Sequence, residues 1–576
     1  MKFFHVYNEE YFDGLVKNNL INKDTGFKIQ HNFSMPSRLK YNEFAKLGSR
    51  LHSYIKENKF PFYVDRIAGG TTYHEYNFDK ELNEEYLNIL GDWFLGFQLH
   101  ESASNRNNDW NNLARYMNGS EGPFDLEELR KNSIRKSATT PEGKVLHGFA
   151  QGSPEEYAPM RKAKTVGEFI EEIRVMYEKY MKMADGLILP CDSYYLFSNM
   201  QGKLGMRTFM PEVGCQIGQM RVAVATARGA AGRFGRTWGT YYETWMESND
   251  HKYSMPCFNK EPGNEWYLSQ EQHGDDFTSY GEKGGSSRYL QKRIYFYTLM
   301  SGADYMAEEW GLNCSYSDMN TFELSPYGFA KKDFIDFAAK VGKIKARVPF
   351  AIVLPMEYEA PEVLDIFGKY RFGEHRGTYM RHDMNDTEAR YVNHAEDVLK
   401  FFFGRDEDNT FGTEGHPITN SRFGDMFDII FEDAPDEVLK RYDALIDASC
   451  DSGFADAKKN SGYRIFESLD FDKLANDVRC TAGAIMPVNV DGLHWVLSEG
   501  EGKRYLTVFN NEGNNRTLEC GDDIIREADK TVTVSFKEPC ELKLAKHGFD
   551  APEVTKTDAK TYKVMVPAAG FAIFEY

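Results

Sequence analysis

The sequence predicts a multidomain α/β protein: a (β/α)8 TIM barrel over residues 1–342, an open α/β domain over 343–480 and a C-terminal antiparallel β-sandwich over 481–576. Three observations predict it. Short apolar strands alternate with helix-length amphipathic segments eight times before residue 342, which demands parallel pairing and has the unit count of a closed barrel. Past Glu323-Leu324-Ser325-Pro326-Tyr327-Gly328 the spacing changes to buried strands with intervening helices. From about Thr481 only short alternating strands and turns are legible.

The elements follow in order. Phe3–Tyr7 is a strand, Glu9–Asn22 an amphipathic helix, Gly26–Phe33 a second strand and Asn42–Glu57 a second helix. Pro61–Arg66 is the third strand and Leu82–Leu90 the next helix. The fourth strand, Trp93–Glu101, is a mostly apolar run that carries a carboxylate to its C-terminal end. A polar excursion near 102–164 interrupts the rhythm, and a structureless loop of that length in a compact domain is normally functional. Helix Val166–Met183 leads to strand five, Gly186–Asp192. Strand six is Thr208–Val213, followed by helix Gln219–Phe234, and strand seven is Trp238–Trp245. A second excursion near 246–285 precedes helix Ser287–Leu299 and strand eight, Ala303–Trp310. Beyond a helix reaching Val341, strands are expected at Val348–Leu354, Met426–Phe431 and Ala444–Asp447, with a helix at Ala395–Phe403. Strands at Leu493–Leu497, Tyr505–Asn510, Thr531–Ser535 and Gly570–Tyr576 close the chain. The open α/β domain has no Gly-x-Gly-x-x-Gly turn after its first strand, so no nucleotide site is expected there.

Composition excludes several classes. The 576 residues are 41% hydrophobic and 14% aromatic, which fits packed domains rather than disorder. A net charge of −19 disfavours nucleic acid and anionic membrane surfaces as partners. No run approaches the ~18 apolar residues of a membrane span. The N-terminus reaches Glu9 and Glu10 too soon for a secretion signal, so a cytoplasmic protein is expected, or a secreted one had a signal peptide been removed. The eight cysteines are dispersed without a CxxC pair and read as reduced thiols. No metal site and no cofactor are expected.

In such a barrel the reactive groups project from the C-terminal ends of the strands. Those ends carry Asp65 and Arg66 on strand three, Glu101 on four, Asp192 on five, Glu212 on six, Glu243 on seven, and Glu308 with Glu309 on eight. Converging carboxylates suit chemistry at an acetal, where one carboxyl protonates a leaving oxygen while another attacks or activates water. Six of the seven tryptophans lie in the barrel region. Trp245 and Trp310, each just past a strand-end carboxylate, are the candidates for packing on the C–H face of a sugar, although tryptophan also fills cores.

These segments resemble clan A glycoside hydrolases, nearest in layout to the family 42 β-galactosidase type. That type follows its barrel with a glutamine-amidotransferase-like α/β domain and a small β domain. Gly96-Phe97-Gln98-Leu99-His100-Glu101 is similar to the clan's fourth-strand segment, in which Asn-Glu supplies the acid/base; here the residue before Glu101 is His100. Thr240-Tyr241-Tyr242-Glu243-Thr244-Trp245 falls where the clan's nucleophile is expected. The helix and strand from Tyr297 to Trp310 look like those that close such barrels. The resemblance implies a carbohydrate substrate, exo action of the β-galactosidase kind, no cofactor, and a homo-oligomer surface on the α/β domain.

The leading expectation is a retaining glycosidase with Glu101 as acid/base and Glu243 as nucleophile. Arg66, His100, Asp192, Glu212, Trp245, Glu308 and Trp310 are expected to bind substrate. An inverting enzyme using Glu212 and Glu308 is the alternative, as is a barrel that binds carbohydrate without turnover. The bland readings are ion pairs of Glu212 or Glu308 with Arg66 or Arg221, a salt bridge within Asp65-Arg66, a satisfied core histidine at His100, and small-residue helix packing at Arg228–Gly235.

Overall fold

The computed structural model describes residues 1–7, 12–30, 48–68, 93–100, 102–103, 166–192, 195–215, 217–244, 246–247, 253–254, 277–279, 285–309, 314–318, 320–359, 386–412, 416–449, 453–514 and 524–576. The helix expected at Leu82–Leu90 and most of the excursions near 102–164 and 246–285 lie outside the described residues.

Eight parallel strands close into a barrel: β1 (Lys2–Tyr7), β2 (Thr25–Gln30), β3 (Phe62–Ala68), β4 (Phe94–His100), β5 (Ile188–Asp192), β6 (Thr208–Gly214), β7 (Thr237–Glu243) and β8 (Tyr305–Glu308). Each strand pairs with its sequence neighbour, and β8 returns to β1 through Lys2↔Tyr305 and Phe4↔Ala307. Successive side chains point to opposite faces. One set forms a small apolar plug inside the barrel: Phe4, Tyr63, Leu189, Cys191, Met210, Tyr241 and Ala307. The alternate set, including Phe3, Phe27, Leu99, Val213, Tyr242 and Met306, packs outward in the main core.

The described barrel helices are, in order, α1 (Phe12–Lys17), α2 (Arg50–Asn58), α3 (Val166–Met183), α4 (Ser198–Lys203), α5 (Met220–Phe234), α6 (Arg288–Met300) and α7 (Pro326–Val341), and several of their termini have capping partners. In α6 (Arg288–Met300), Ser287 accepts the Leu290 N–H, and in α7 (Pro326–Val341), Ser325 accepts the Gly328 N–H with Pro326 in the first turn. Between β6 and β7, α5 (Met220–Phe234) ends at Gly235, whose left-handed conformation lets its N–H reach the Ala231 carbonyl.

After the barrel, β9 (Phe350–Leu354), β10 (Phe427–Phe431), β11 (Ala444–Asp447) and β12 (Ile465–Glu467) form a parallel sheet in the order β10-β9-β11-β12. The barrel helix α5 also covers this sheet. Gly229 permits the approach, because a Cβ there would sit 2.2 Å from the Ile429 carbonyl oxygen. Arg228, one residue earlier, donates from Nε to Asp428 Oδ1 at 2.6 Å, from Nη1 to Asp425 Oδ2 at 2.9 Å and from Nη2 to the Phe427 carbonyl at 2.8 Å. Arg221, weighed as a partner for the strand-end glutamates, instead donates to Ser421 Oγ and the Phe423 carbonyl.

A helix, Phe471–Ile485, precedes the last region and runs past the expected start of the all-β stretch at 481, with Asp470 capping the Lys473 N–H. Two antiparallel sheets follow. One contains Lys345–Ala346, His494–Gly500, Lys503–Phe509, Phe571–Glu575 and Lys543–His547; the other contains Val488–Val490, Lys530–Phe536, Thr561–Val566 and Glu553–Lys556. Lys345–Ala346, expected to open the α/β domain, thus pairs with a C-terminal strand.

Two buried histidines couple this fold to pH. Burial lowers the His5 imidazole to about 3, with Lys331 adding to the effect and a hydrogen bond from Nε2 to the Leu20 carbonyl at 2.8 Å opposing it. Burial also holds His494 well below its ordinary value, assisted by Arg221 and Arg293. Both stay neutral in the fold and protonate near pH 6.5 in the unfolded chain. Their contribution is therefore fully present above pH 6.5 and is lost as pH falls, by ~1.4 kcal/mol per pH unit for each imidazole. Denaturant midpoints at pH 7.5 and pH 5 measure the loss, and His5→Gln is expected to make the decline shallower.

Candidate active site

The inward parity that builds the plug continues to the C-terminal ends of the strands, where polar side chains replace apolar ones. His100 ends β4, Cys191 lies near the end of β5, Glu212 is on β6, Tyr241 and Glu243 are on β7, and Glu309 follows β8. All six are at most 3% exposed. The hydrogen bond from the Glu309 N–H to the Tyr242 carbonyl, at 2.9 Å, carries the eighth strand's alignment one residue further and sets Glu309 beside Glu243. Gly214 is paired with Glu243, and a Cβ at that glycine would lie 2.5 Å from the Glu243 carbonyl oxygen and 2.7 Å from its Cβ, so the missing side chain permits the close approach of β6 and β7 at this end.

Glu212, Glu243 and Glu309 each bring a carboxylate oxygen within 4.8 Å of the other two. His100 Nε2 lies 3.5 Å from Glu309 Oε1. Beneath them Lys28, fully buried on β2, donates to the Tyr241 hydroxyl at 2.7 Å and to the Glu309 carbonyl at 3.3 Å. The His100 ring meets the Tyr241 ring edge-on at 5.3 Å. Three carboxylates this close repel unless a proton or cation sits among them. Lys28 brings one positive charge to the underside of the group.

The expected residues distribute as follows. His100, Glu212 and Glu243 come together at the mouth. Arg66 is carried on β3. Asp192 follows the inward-facing Cys191, and its Oδ2 accepts the Ala103 N–H at 2.6 Å, which ties down the segment leaving β4. Glu101, Trp245 and Trp310 lie outside the described residues. Trp238 packs in the main core at 5% exposure.

Glu308 is a correction. Expected at the mouth, it faces the helices: Ala307 belongs to the inner plug, so the next side chain points outward. There the Lys331 ammonium lies 2.5 Å from Glu308 Oε2, and the Tyr295 hydroxyl donates to Oε1. Glu309 takes the inward position instead. Glu308→Gln breaks a buried ion pair and is expected to cost about 3–5 kcal/mol of stability while leaving turnover nearly unchanged. Glu309→Gln is expected to keep the melting behaviour and to lower kcat/KM on the order of 100-fold. Paired melts and steady-state kinetics on the two variants separate the roles.

Lys28, Tyr241 and Cys191 form the part of the mouth that strand-end reading did not name, and Glu309, named at the end of strand eight, was given no role there. Parity was the available signal, since Lys28 sits between the outward-packing Phe27 and Ile29, and Glu309 lies two residues after Ala307.

No family model matches the chain, the family 42 type included, and no curated protein matches it. Among solved structures it is similar to alpha-L-fucosidase isoenzyme 2 from Paenibacillus thiaminolyticus, at 10% identity and a TM-score of 0.40, over 98% of this chain and 96% of that one. It is also similar to the trehalulose synthase MutB from Pseudomonas mesoacidophila MX-45, at 10% identity and a TM-score of 0.31, over 100% of this chain and 96% of that one. An isomaltulose synthase mutant from Erwinia rhapontici NX5 is 11% identical with a TM-score of 0.30, over 98% of this chain and 93% of that one. These superpositions are loose, with every TM-score below 0.5.

Proposed function

We propose that the chain is a retaining glycoside hydrolase whose nucleophile is Glu243 and whose acid/base is Glu101, the strand-four glutamate. The observation that carries the reading is the convergence of Glu212, Glu243 and Glu309 at the C-terminal mouth of the barrel, with oxygens within 4.8 Å.

Retention carries a geometric requirement: the carboxyl groups of Glu101 and Glu243 would stand about 5–5.5 Å apart, against about 6.5–9.5 Å for an inverting pair that admits water. The inverting alternative built on Glu212 and Glu308 loses its second member, because Glu308 is engaged by Lys331 and Tyr295.

In the proposed reaction Glu243 attacks the anomeric carbon as the leaving oxygen takes a proton from the acid. The glycosidic bond breaks and a glycosyl ester forms on Glu243. Water, losing its proton to the same acid/base residue, then displaces the glutamate and restores it. Glu212, Glu309 and His100 surround the sugar as hydroxyl partners, and Lys28 offsets part of their negative charge through Tyr241.

A panel of aryl glycosides, beginning with the β-galactoside, tests this when the first product is followed by proton NMR. Release of the sugar with unchanged anomeric configuration is the expected outcome. An inverted first product would exclude a nucleophilic Glu243.

A further inference from the structure

The same mouth holds Cys191, which the proposed hydrolysis does not use, between two other metal-ligating side chains. His100, Cys191 and Glu212, from the adjacent strands β4, β5 and β6, each offer one atom, and the three atoms lie within 4.8 Å of one another. Their exposures are 1%, 0% and 1%. Imidazole nitrogen, thiolate sulfur and carboxylate oxygen together suit a borderline-soft divalent ion.

From these residues we propose a binding site for a zinc-class divalent cation, with His100, Cys191 and Glu212 as the protein ligands and the fourth position facing the barrel mouth.

The geometry needs little adjustment. Zinc bound at about 2.3 Å to sulfur and about 2.0 Å to nitrogen and oxygen sets tetrahedral ligands roughly 3.3–3.5 Å apart, so a side-chain closure on the order of 1 Å suffices. A second triad shares Glu212 with Glu243 and Glu309, and His100 Nε2 is 3.5 Å from Glu309 Oε1, so the two groups adjoin across five consecutive strand ends. Binding forms the metal–sulfur bond as the Cys191 thiol releases its proton to solvent, so affinity rises with pH. No electron transfer is involved. Occupation would draw Glu212 into a ligand role and leave Glu243 as the neighbouring carboxylate, which makes the ion a competitor of substrate at the mouth. The site stands apart from the hydrolase reading, since its ligands bind metal whether or not a glycoside is cleaved.

The test uses the full chain, stripped with chelator and titrated with Co2+ alone. One equivalent is expected to produce a thiolate-to-cobalt absorption band in the near ultraviolet, removed by Zn2+. Cys191→Ser is expected to lose that band, and His100→Gln to weaken binding at least tenfold. Absence of the band in the wild type, or an undiminished band in Cys191→Ser, overturns the proposal; the second result would assign the signal to Cys480 or another thiol. X-ray absorption of the zinc-loaded wild type gives an answer independent of variant folding. One sulfur at about 2.3 Å with nitrogen or oxygen at about 2.0 Å supports the site, and a shell without sulfur overturns it.

Discussion

Replacing Glu243 by glycine is expected to lower kcat on aryl glycosides by at least about 1000-fold, some 4 kcal/mol of barrier, while the melting curve stays close to that of the wild type. The size follows from the role. Without the carboxylate no covalent ester can form, and water in the vacated space attacks without the intramolecular advantage of a held nucleophile. The small effect on folding follows from position. Glu243 ends β7 beyond the apolar plug, and its truncation removes a side chain from the carboxylate cluster with Glu212 and Glu309 rather than from the apolar core. Azide should enter the space and restore turnover, giving a glycosyl azide of opposite anomeric configuration to the substrate. Kinetics with and without azide, with product analysis, check both halves. A variant as active as the wild type would make Glu243 a structural residue.

The second large effect concerns the joint between barrel and parallel sheet. Arg228→Met is expected to destabilise the protein by about 3–5 kcal/mol, because it leaves Asp425 and Asp428 buried without the guanidinium that pairs with both. Burial already pushes the Asp428 carboxyl up against the pull of Arg228, so in the variant that carboxyl should take up a proton. Stability of the variant should therefore fall less steeply on acidification than that of the wild type. Denaturant unfolding at pH 7.5 and pH 5 reads both effects. The loss should appear in the sheet as well as in the barrel, since α5 packs on β6 and on β10.

The sequence carried the barrel because each β/α unit is local. Period-two strands and long amphipathic helices leave their pattern within some 20 residues, and Val166–Met183 was bounded as the structure has it. Elements held by distant contacts were harder to read. β12, Ile465–Glu467, is three residues long at a sheet edge, and Glu553–Lys556 is exposed throughout, so neither shows alternation between buried and exposed faces. The site followed the same division. Strand-end position was enough to find Glu212 and Glu243. Choosing between Glu308 and Glu309 required the parity of a strand whose inner face is fixed by Ala307 and whose outer carboxylate is claimed by Lys331, 23 positions along the chain. His100, Cys191 and Glu212 share no spacing motif. Only closure of β4, β5 and β6 side by side brings them together.

A covalent glycosyl ester on Glu243 is the proposed intermediate, and trapping that ester tests the proposal most directly. The wild-type protein would be incubated with an activated 2-deoxy-2-fluoro analogue of whichever aryl glycoside it is found to cleave, digested and analysed by mass spectrometry. The expected result is one fluorosugar on the peptide carrying Glu243, with fragmentation assigning it to that residue. A label on Glu101, Glu212 or Glu309, or an enzyme that hydrolyses the parent glycoside yet is neither labelled nor inactivated, would contradict it.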